Sequence, residues 1–334
     1  MIISQKFNSI NDIDLEFVPS LELLLSHKIP HFQSLINYEE NAPQDIGFAY
    51  YLFFSNKTNS PIGFAQLELK NEKPIKKSLM AKLLKKDPVE NQFEKSVEWL
   101  ICGTNEDGII FDPRYISNFT DGAQKVITEF QNRKDIQSQS IYFSDSYSKI
   151  ENLSHCIKHS DKIVPDVLVK NQSSYQEFFL SLEDDLQRAI KENWKKVQKE
   201  LKLEMGDYQS FKHTFQYKAE GPAQYKELKN HPKLKKYIKE DNTTYFLTLE
   251  SKKRLSLLVI LIAGNNGNSF YDTLYQDETI SDIMVHQLSL MKFYECEEFN
   301  NLYFLGDPDQ ADHLFSIGFT KKKIAHILIN KVKP

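Results

Sequence analysis

Asp272 is the residue of this chain whose type and setting point most directly to chemistry. It sits in the run SFYDTLY, residues 269 to 275, where every neighbour is aromatic, aliphatic or a small hydroxyl residue. Such a run reads as a strand, and a carboxylate inside it needs a partner or a function to offset lost hydration. Alternation predicts Tyr271, Thr273 and Tyr275 on one face and Asp272 on the other. Asp272 is thus a candidate base, with the Tyr271 and Tyr275 hydroxyls as candidate proton donors; the other reading of Asp272 is an edge or solvent-facing position. Asp307 follows a second strand-like run, NLYFLG, at the end where α/β proteins tend to place ligands, although Asp307-Pro308 also reads as an ordinary turn. Arg188, Lys191 and Lys195 belong to the basic half of a long helical pattern. They either face a phosphate-bearing substrate or complement the helix dipole.

Other chemistries lack their residues. The sequence contains no G-x-S-x-G elbow, P-loop, H-E-x-x-H or C-x-x-C. His155, Cys156 and His159 cluster, but no second cysteine or carboxylate pair completes four ligands, so they read as a solvated linker and no metal is expected. Cys102, Cys156 and Cys296 are too few and too scattered for a disulfide framework and read as small apolar residues in a reducing compartment.

A net charge of −4 gives no global attraction to nucleic acid or anionic membrane. Lysines do concentrate in residues 70–86 and 226–239, which read as solvated loops, with phosphate contact as the alternative. Residues 75–86 (IKKSLMAKLLKK) have the pattern of a short basic amphipathic helix, covering a sheet or lying on a membrane surface. The N-terminus lacks the basic start and apolar core of a signal peptide. The most apolar run, Leu255 to Ala263, is far shorter than a membrane span. The expectation is a soluble, cytoplasmic protein.

With 40% hydrophobic residues over 334 positions, the chain can fill two cores. Strands are predicted at 47–54, 62–69, 97–103, around 109–111 and at 140–144, with a helix opening at Thr120 or Asp121. A second set follows at 244–250, 255–263, 269–275, 301–306 and 323–330, with a helix from about Ser281 and a short one in ADHLFSIGF. The repeated order predicts an α/β (α+β) chain of two tandem domains, 1–155 and 156–334, each a mixed twisted sheet flanked by helices. Between them, Tyr175, Phe178, Phe179, Leu182, Leu186, Ile190, Trp194, Val197 and Leu201 recur at helical spacing. Ser173 with Gln176, and Ser174 with Glu177, form capping-box patterns at the start, and a kink near Ser181 would divide this helix in two.

The segment SSYQEFFLSLEDDLQRAIKENWKK, the succession LSLLVILIAGNNGNSFYDTLYQD followed by a helix and NLYFLGD, and the tail ADHLFSIGFTKKKIAHILI resemble the doubled GNAT-fold acyltransferases, including the FemAB-type peptidoglycan-bridge ligases. Together they cover most of residues 165–330. The resemblance implies transfer of an acyl or aminoacyl group to an amine of a small molecule or peptide, in a cleft between two GNAT-like domains. The donor would be acyl-CoA, or aminoacyl-tRNA with tRNA as partner. Asp272, Tyr271 and Tyr275 would be catalytic; Arg188, Lys191, Lys195 and Asp307 would bind substrate. The chain departs from the family's S-K-K-x-R, where it has Glu183, Asp184, Asp185, Leu186 and Gln187, with acids at the two lysine positions and Gln187 at the arginine, and no Q/R-x-x-G-x-G/A turn is present. A non-catalytic GNAT-fold binding or scaffold protein is the alternative.

Overall fold

The computed structural model describes residues 2–74, 93–103, 107–144, 157–200, 202–207, 209–211, 213, 226–228, 230–237, 244–251, 254–278, 280–306 and 311–330. The chain forms two compact units, residues 1–25, 42–163 and 323–334, and residues 26–41 and 164–322. In chain order the elements are β1 (Ile2–Phe7), α1 (Val18–Leu25), α2 (Gln33–Glu40), β2 (Ile46–Ser55), β3 (Pro61–Pro74), β4 (Phe93–Trp99), β5 (Ile109–Phe111), α3 (Phe119–Gln131), β6 (Ile136–Ser144) and β7 (Ile157–Pro165). There follow β8 (Leu168–Val169), α4 (Tyr175–Ser181), α5 (Asp184–Glu200), β9 (Lys202–Asp207), α6 (Pro232–Tyr237), β10 (Thr244–Ser251), β11 (Arg254–Ala263), β12 (Asn268–Gln276), α7 (Asp282–Glu295), β13 (Asn301–Phe304), α8 (Ala311–Ser316) and β14 (Lys321–Asn330).

The first unit's sheet has the order β1-β2-β3-β4-β6-β14-β7, with β5 also on β3; the second unit's has β8-β13-β12-β11-β10-β9. This division differs from a single cut after residue 155 in two places. Residues 26–41 belong to the second unit, where the Asn268 side chain donates to the Ser26 carbonyl at 2.7 Å and the Asn37 side chain to the Lys236 carbonyl at 3.4 Å. The closing strand β14 is read from its apolar alternation, but it pairs antiparallel with β6 and completes the first sheet. The span expected to be a linker contributes β7 from residue 157 onward. His155, Cys156, Asp307 and the 75–86 segment lie outside the described residues.

Both sheets bury two faces, which is why their central strands read as continuous apolar runs. In β11, Leu257, Val259 and Leu261 pack toward α7, while Leu258, Ile260 and Ile262 pack with Phe246, Phe270 and Leu274 on the other side. The turn into β12 needs left-handed backbone at Asn266 (φ 60°) and Gly267 (φ 73°), a conformation glycine adopts at little cost. The Ser173–Lys202 helix is divided: Leu182 is extended (ψ 159°) and ends α4. Gln187 holds the break, its amide donating to the Leu182 carbonyl at 2.8 Å. The start is a shifted capping box, with Ser174 Oγ accepting from the Glu177 amide and the Glu177 carboxylate accepting from the Ser173 amide. Among the described residues no helix is long and apolar enough to cross a membrane.

Candidate functional site

The two sheets each contain a parallel strand pair that stops short, and they differ in what lies beyond it. In the first unit β4 and β6 pair from Lys95–Ile136 to Trp99–Ile141. Beyond that pairing the Gln66 backbone accepts from the Leu100 amide and donates to the Gly108 carbonyl. β5 resumes the ladder against Gly63–Ala65. The Gly108 amide donates to the Tyr142 carbonyl, and the Asp107 carboxylate accepts from the Ser144 amide at 2.6 Å. The chain itself therefore occupies the ground past the end of the β4–β6 pairing, with Leu100, Ile101 and Cys102 buried there. A Cβ at Gly108 would stand 2.1 Å from the Trp99 carbonyl group. Gly108→Ala is expected to cost on the order of 3 kcal/mol through forced backbone displacement, read as a lowered urea midpoint; an unchanged midpoint contradicts the close approach.

In the second unit β12 and β13 pair in parallel only from Asn268–Asn301 to Tyr271–Phe304, and the Leu305 amide makes a last bond to the Tyr271 carbonyl at 2.9 Å. Among the described residues β12 runs on from Asp272 with β11 as its strand partner. A one-residue bulge at Leu274 interrupts that ladder, the partner of Leu258 being Tyr275 and that of Val259 being Thr273. Bulges re-aim side chains. Past this one Tyr275 stands opposite Leu258, on the face shared by Phe270 and Leu274, so it leaves the face of Tyr271 that simple alternation predicts.

Asp272 is 1% exposed. Its Oδ1 accepts from Lys233 Nζ of α6 at 2.7 Å and from the Thr273 amide at 2.8 Å. Its Oδ2, Thr273 Oγ1 and His231 Nδ1 are buried without a hydrogen-bond partner among the described residues. Burial pushes the Asp272 carboxyl above its ordinary range, opposed by Lys233, the Thr273 amide and Lys236. Burial likewise holds His231 down, helped by the Lys233 charge and opposed by Asp272. Each orphaned buried polar atom costs about 1–3 kcal/mol. Asp272 Oδ2 and His231 Nδ1 share one face of β12 and make a place that a ligand's polar groups can complete, whereas Thr273, opposite Val259, belongs to the other face.

On the opposite face Tyr271 is fully buried and shares a hydrogen bond of 2.9 Å with His286 Nδ1 of α7. Burial drives Tyr271 well above its usual range and pulls His286 down to about 4. His286 is therefore neutral near pH 7. The Tyr175 hydroxyl donates to Gln287 on the same helix. Lys170 closes the C-terminal end of α7, donating to the Cys296 carbonyl at 2.9 Å.

The basic positions of α5 are held elsewhere. That helix packs through Leu186, Trp194 and Val197 on the face that carries Tyr271, not the face of Asp272. Arg188 is exposed and pairs with Asp185 at 3.4 Å. Lys191 Nζ lies over the Phe179 ring at 5.4 Å, and Lys195 is exposed. Lys233 and His231 escaped the sequence reading because they stand in a lysine-rich segment that resembles a solvated loop. The sequence signal was the presence of Leu228 and Leu234 among the lysines, both buried against the Asp272 face. No group of three or more metal-ligating side chains is assembled among the described residues. The first unit holds a cavity of about 310 Å³ lined in part by Lys6, Lys95 and Arg133. Those cations are engaged by Glu129 and Asp135, which leaves the cavity without chemistry of its own.

No known family's sequence profile matches the chain, and no curated protein matches it. Solved structures are similar in fold. A conserved protein of unknown function from Bacteroides thetaiotaomicron has a TM-score of 0.51 at 8% identity, over 99% of this chain and 100% of that one. A tandem GNAT protein from the clavulanic acid biosynthesis pathway, solved without acetyl-CoA, has a TM-score of 0.47 at 8% identity over 100% of both chains. A GCN5-related N-acetyltransferase from Sphaerobacter thermophilus has 0.40 at 7% identity, over 99% of this chain and 96% of that one. What is shared at these identities is the architecture: mixed twisted sheets flanked by helices.

Proposed function

We propose that the chain is an acyltransferase that moves an acyl group from a thioester donor of the acyl-CoA kind to an amine, at the parting of β12 and β13 in its second unit. The observation that carries this reading is Asp272. It is a buried carboxylate at the first residue where β12 loses its parallel neighbour, with one oxygen on Lys233 and the other without a partner among the described residues. Amine acylation needs a base that takes a proton from the ammonium as the nitrogen attacks the carbonyl carbon. A carboxyl raised by burial and opposed by a neighbouring cation takes up a proton more readily than a surface carboxylate, which fits that work. The free strand edge offers backbone groups to an extended amide-bearing chain, as pantetheine is. The sequence resemblance to the doubled GNAT-fold acyltransferases agrees with this assignment.

The N-terminus of α7 does not favour a pyrophosphate. Asp277, Glu278 and Asp282 surround it, and Asp282 accepts from Gln276 at 2.8 Å, so the donor is held mainly along its pantetheine arm. A thermal melt with acetyl-CoA tests the reading. Ligand at about a hundred times its Kd is expected to add about 2.7 kcal/mol, seen as a raised midpoint. No shift with acetyl-CoA, longer acyl-CoAs or aminoacyl-tRNA contradicts transferase activity and leaves the scaffold reading.

A further inference from the structure

Resting on the acyltransferase reading of the same site, we infer that Lys233 is itself an acyl acceptor, so that the chain modifies its own lysine when a thioester donor is bound. The geometry is that of a substrate amine already seated. Lys233 Nζ stands 2.7 Å from the Asp272 carboxylate, the distance of a charge-assisted hydrogen bond. The lysine side chain is 41% exposed while its partner is 1% exposed, so the amine reaches both solvent and the buried base. Its second contact, 3.4 Å to the Thr273 carbonyl, holds the nitrogen beside the strand edge where β12 has lost β13. Lys235 on the same helix is exposed, and no carboxylate contact anchors it among the described residues.

The step balances without any further reactant. The Lys233 ammonium gives one proton to Asp272, and the neutral amine attacks the thioester carbonyl. The N–C bond forms and the C–S bond breaks. The departing thiolate takes the second proton from nitrogen, and Asp272 keeps the first. The products are an amide on Lys233, a free thiol and a protonated Asp272 carboxyl. The amide carries no charge, so the Asp272 carboxylate loses its counterion and burial holds it protonated. Self-acylation therefore switches off the base that performs it, and an acceptor amine that enters first protects the enzyme.

The test is incubation of the full chain with acetyl-CoA alone, followed by intact mass and peptide mapping, with a thermal melt in the same buffer. One acetyl group per chain is expected at Lys233, absent from Lys233→Arg, formed about 100-fold more slowly in Asp272→Asn, and formed faster than at Lys235 in the same molecule. A melt shifted by acetyl-CoA with Lys233 unmodified overturns this inference and leaves the acyltransferase reading standing. Labelling of Lys233 at the rate of Lys235, or equally in Asp272→Asn, overturns it as chemical acylation of an accessible amine. Neither shift nor label overturns both.

Discussion

Asp272→Asn lowers kcat/KM for acetyl transfer to amines by about 100- to 10,000-fold while its unfolding midpoint stays level or rises. The activity loss follows from replacing the group that takes the proton, measured as thiol release from acetyl-CoA over a panel of amines. The stability side follows from the direction of the Asp272 shift, up from its ordinary value because of burial. A folded-state pKa above the unfolded one means that the folded protein binds that proton more tightly. The site then contributes stability at low pH and loses it as pH rises through the folded value. At neutral pH the buried ionised carboxylate is a cost, which asparagine removes, and Lys233 is exposed enough to be hydrated once its partner is neutral. A variant that retains full activity, or one that fails to fold, contradicts the role given to Asp272.

The second large effect lies on the other face of β12. Folding stability is expected to fall by about 3 kcal/mol as pH drops from the histidine range near 6.5 to 4, because His286 is held at about 4 by burial. The unfolded chain binds a proton on this imidazole throughout that window and the folded chain does not, so stability rises with pH there and is lost on acidification. Asp282 pulls the group upward and His313 pushes it down, both weaker than burial, and Tyr271 accepts no charge that could rescue the imidazolium. Urea unfolding at a series of pH values measures the slope. His286→Gln should flatten it across the window, and an unchanged slope in that variant assigns the loss to other groups.

How far the chain could be read before folding depended on whether the decisive fact was local. β11 and β12 were legible because a nine-residue run apolar but for Ser256, a turn rich in glycine and asparagine and an aromatic run each report their own conformation. Asp272 was legible as a carboxylate out of place. The break at Leu182 was signalled by Ser181, yet the role of Gln187 was not: it stands where the family resemblance expects arginine, and here it ties α5 to the carbonyl at the break. The bulge at Leu274 left no mark in composition, so alternation put Tyr275 with Tyr271. Helix α7 buries Met284 through Leu290 without a break, and His286 and Gln287 are matched by Tyr271 and Tyr175 from distant sequence. The pairing of β14 with β6 is likewise a long-range choice. Its alternating pattern fixes a strand and a face but names no sheet.

Lys233 shows the same limit at the site. A lysine among six in fourteen residues looks like surface, and only the packing of Leu228 and Leu234 under it brings the amine onto Asp272. The non-catalytic alternative predicts that this pair is a structural ion pair alone.

A crystal structure of the chain with a non-hydrolysable acetyl-CoA analogue tests the central claim most directly. The account predicts the pantetheine arm along the free edge of β12, with the acyl group beside Asp272 and Lys233 at the parting from β13. An analogue bound elsewhere, or a parting filled by the chain's own side chains with Asp272 sealed from the ligand, would contradict it.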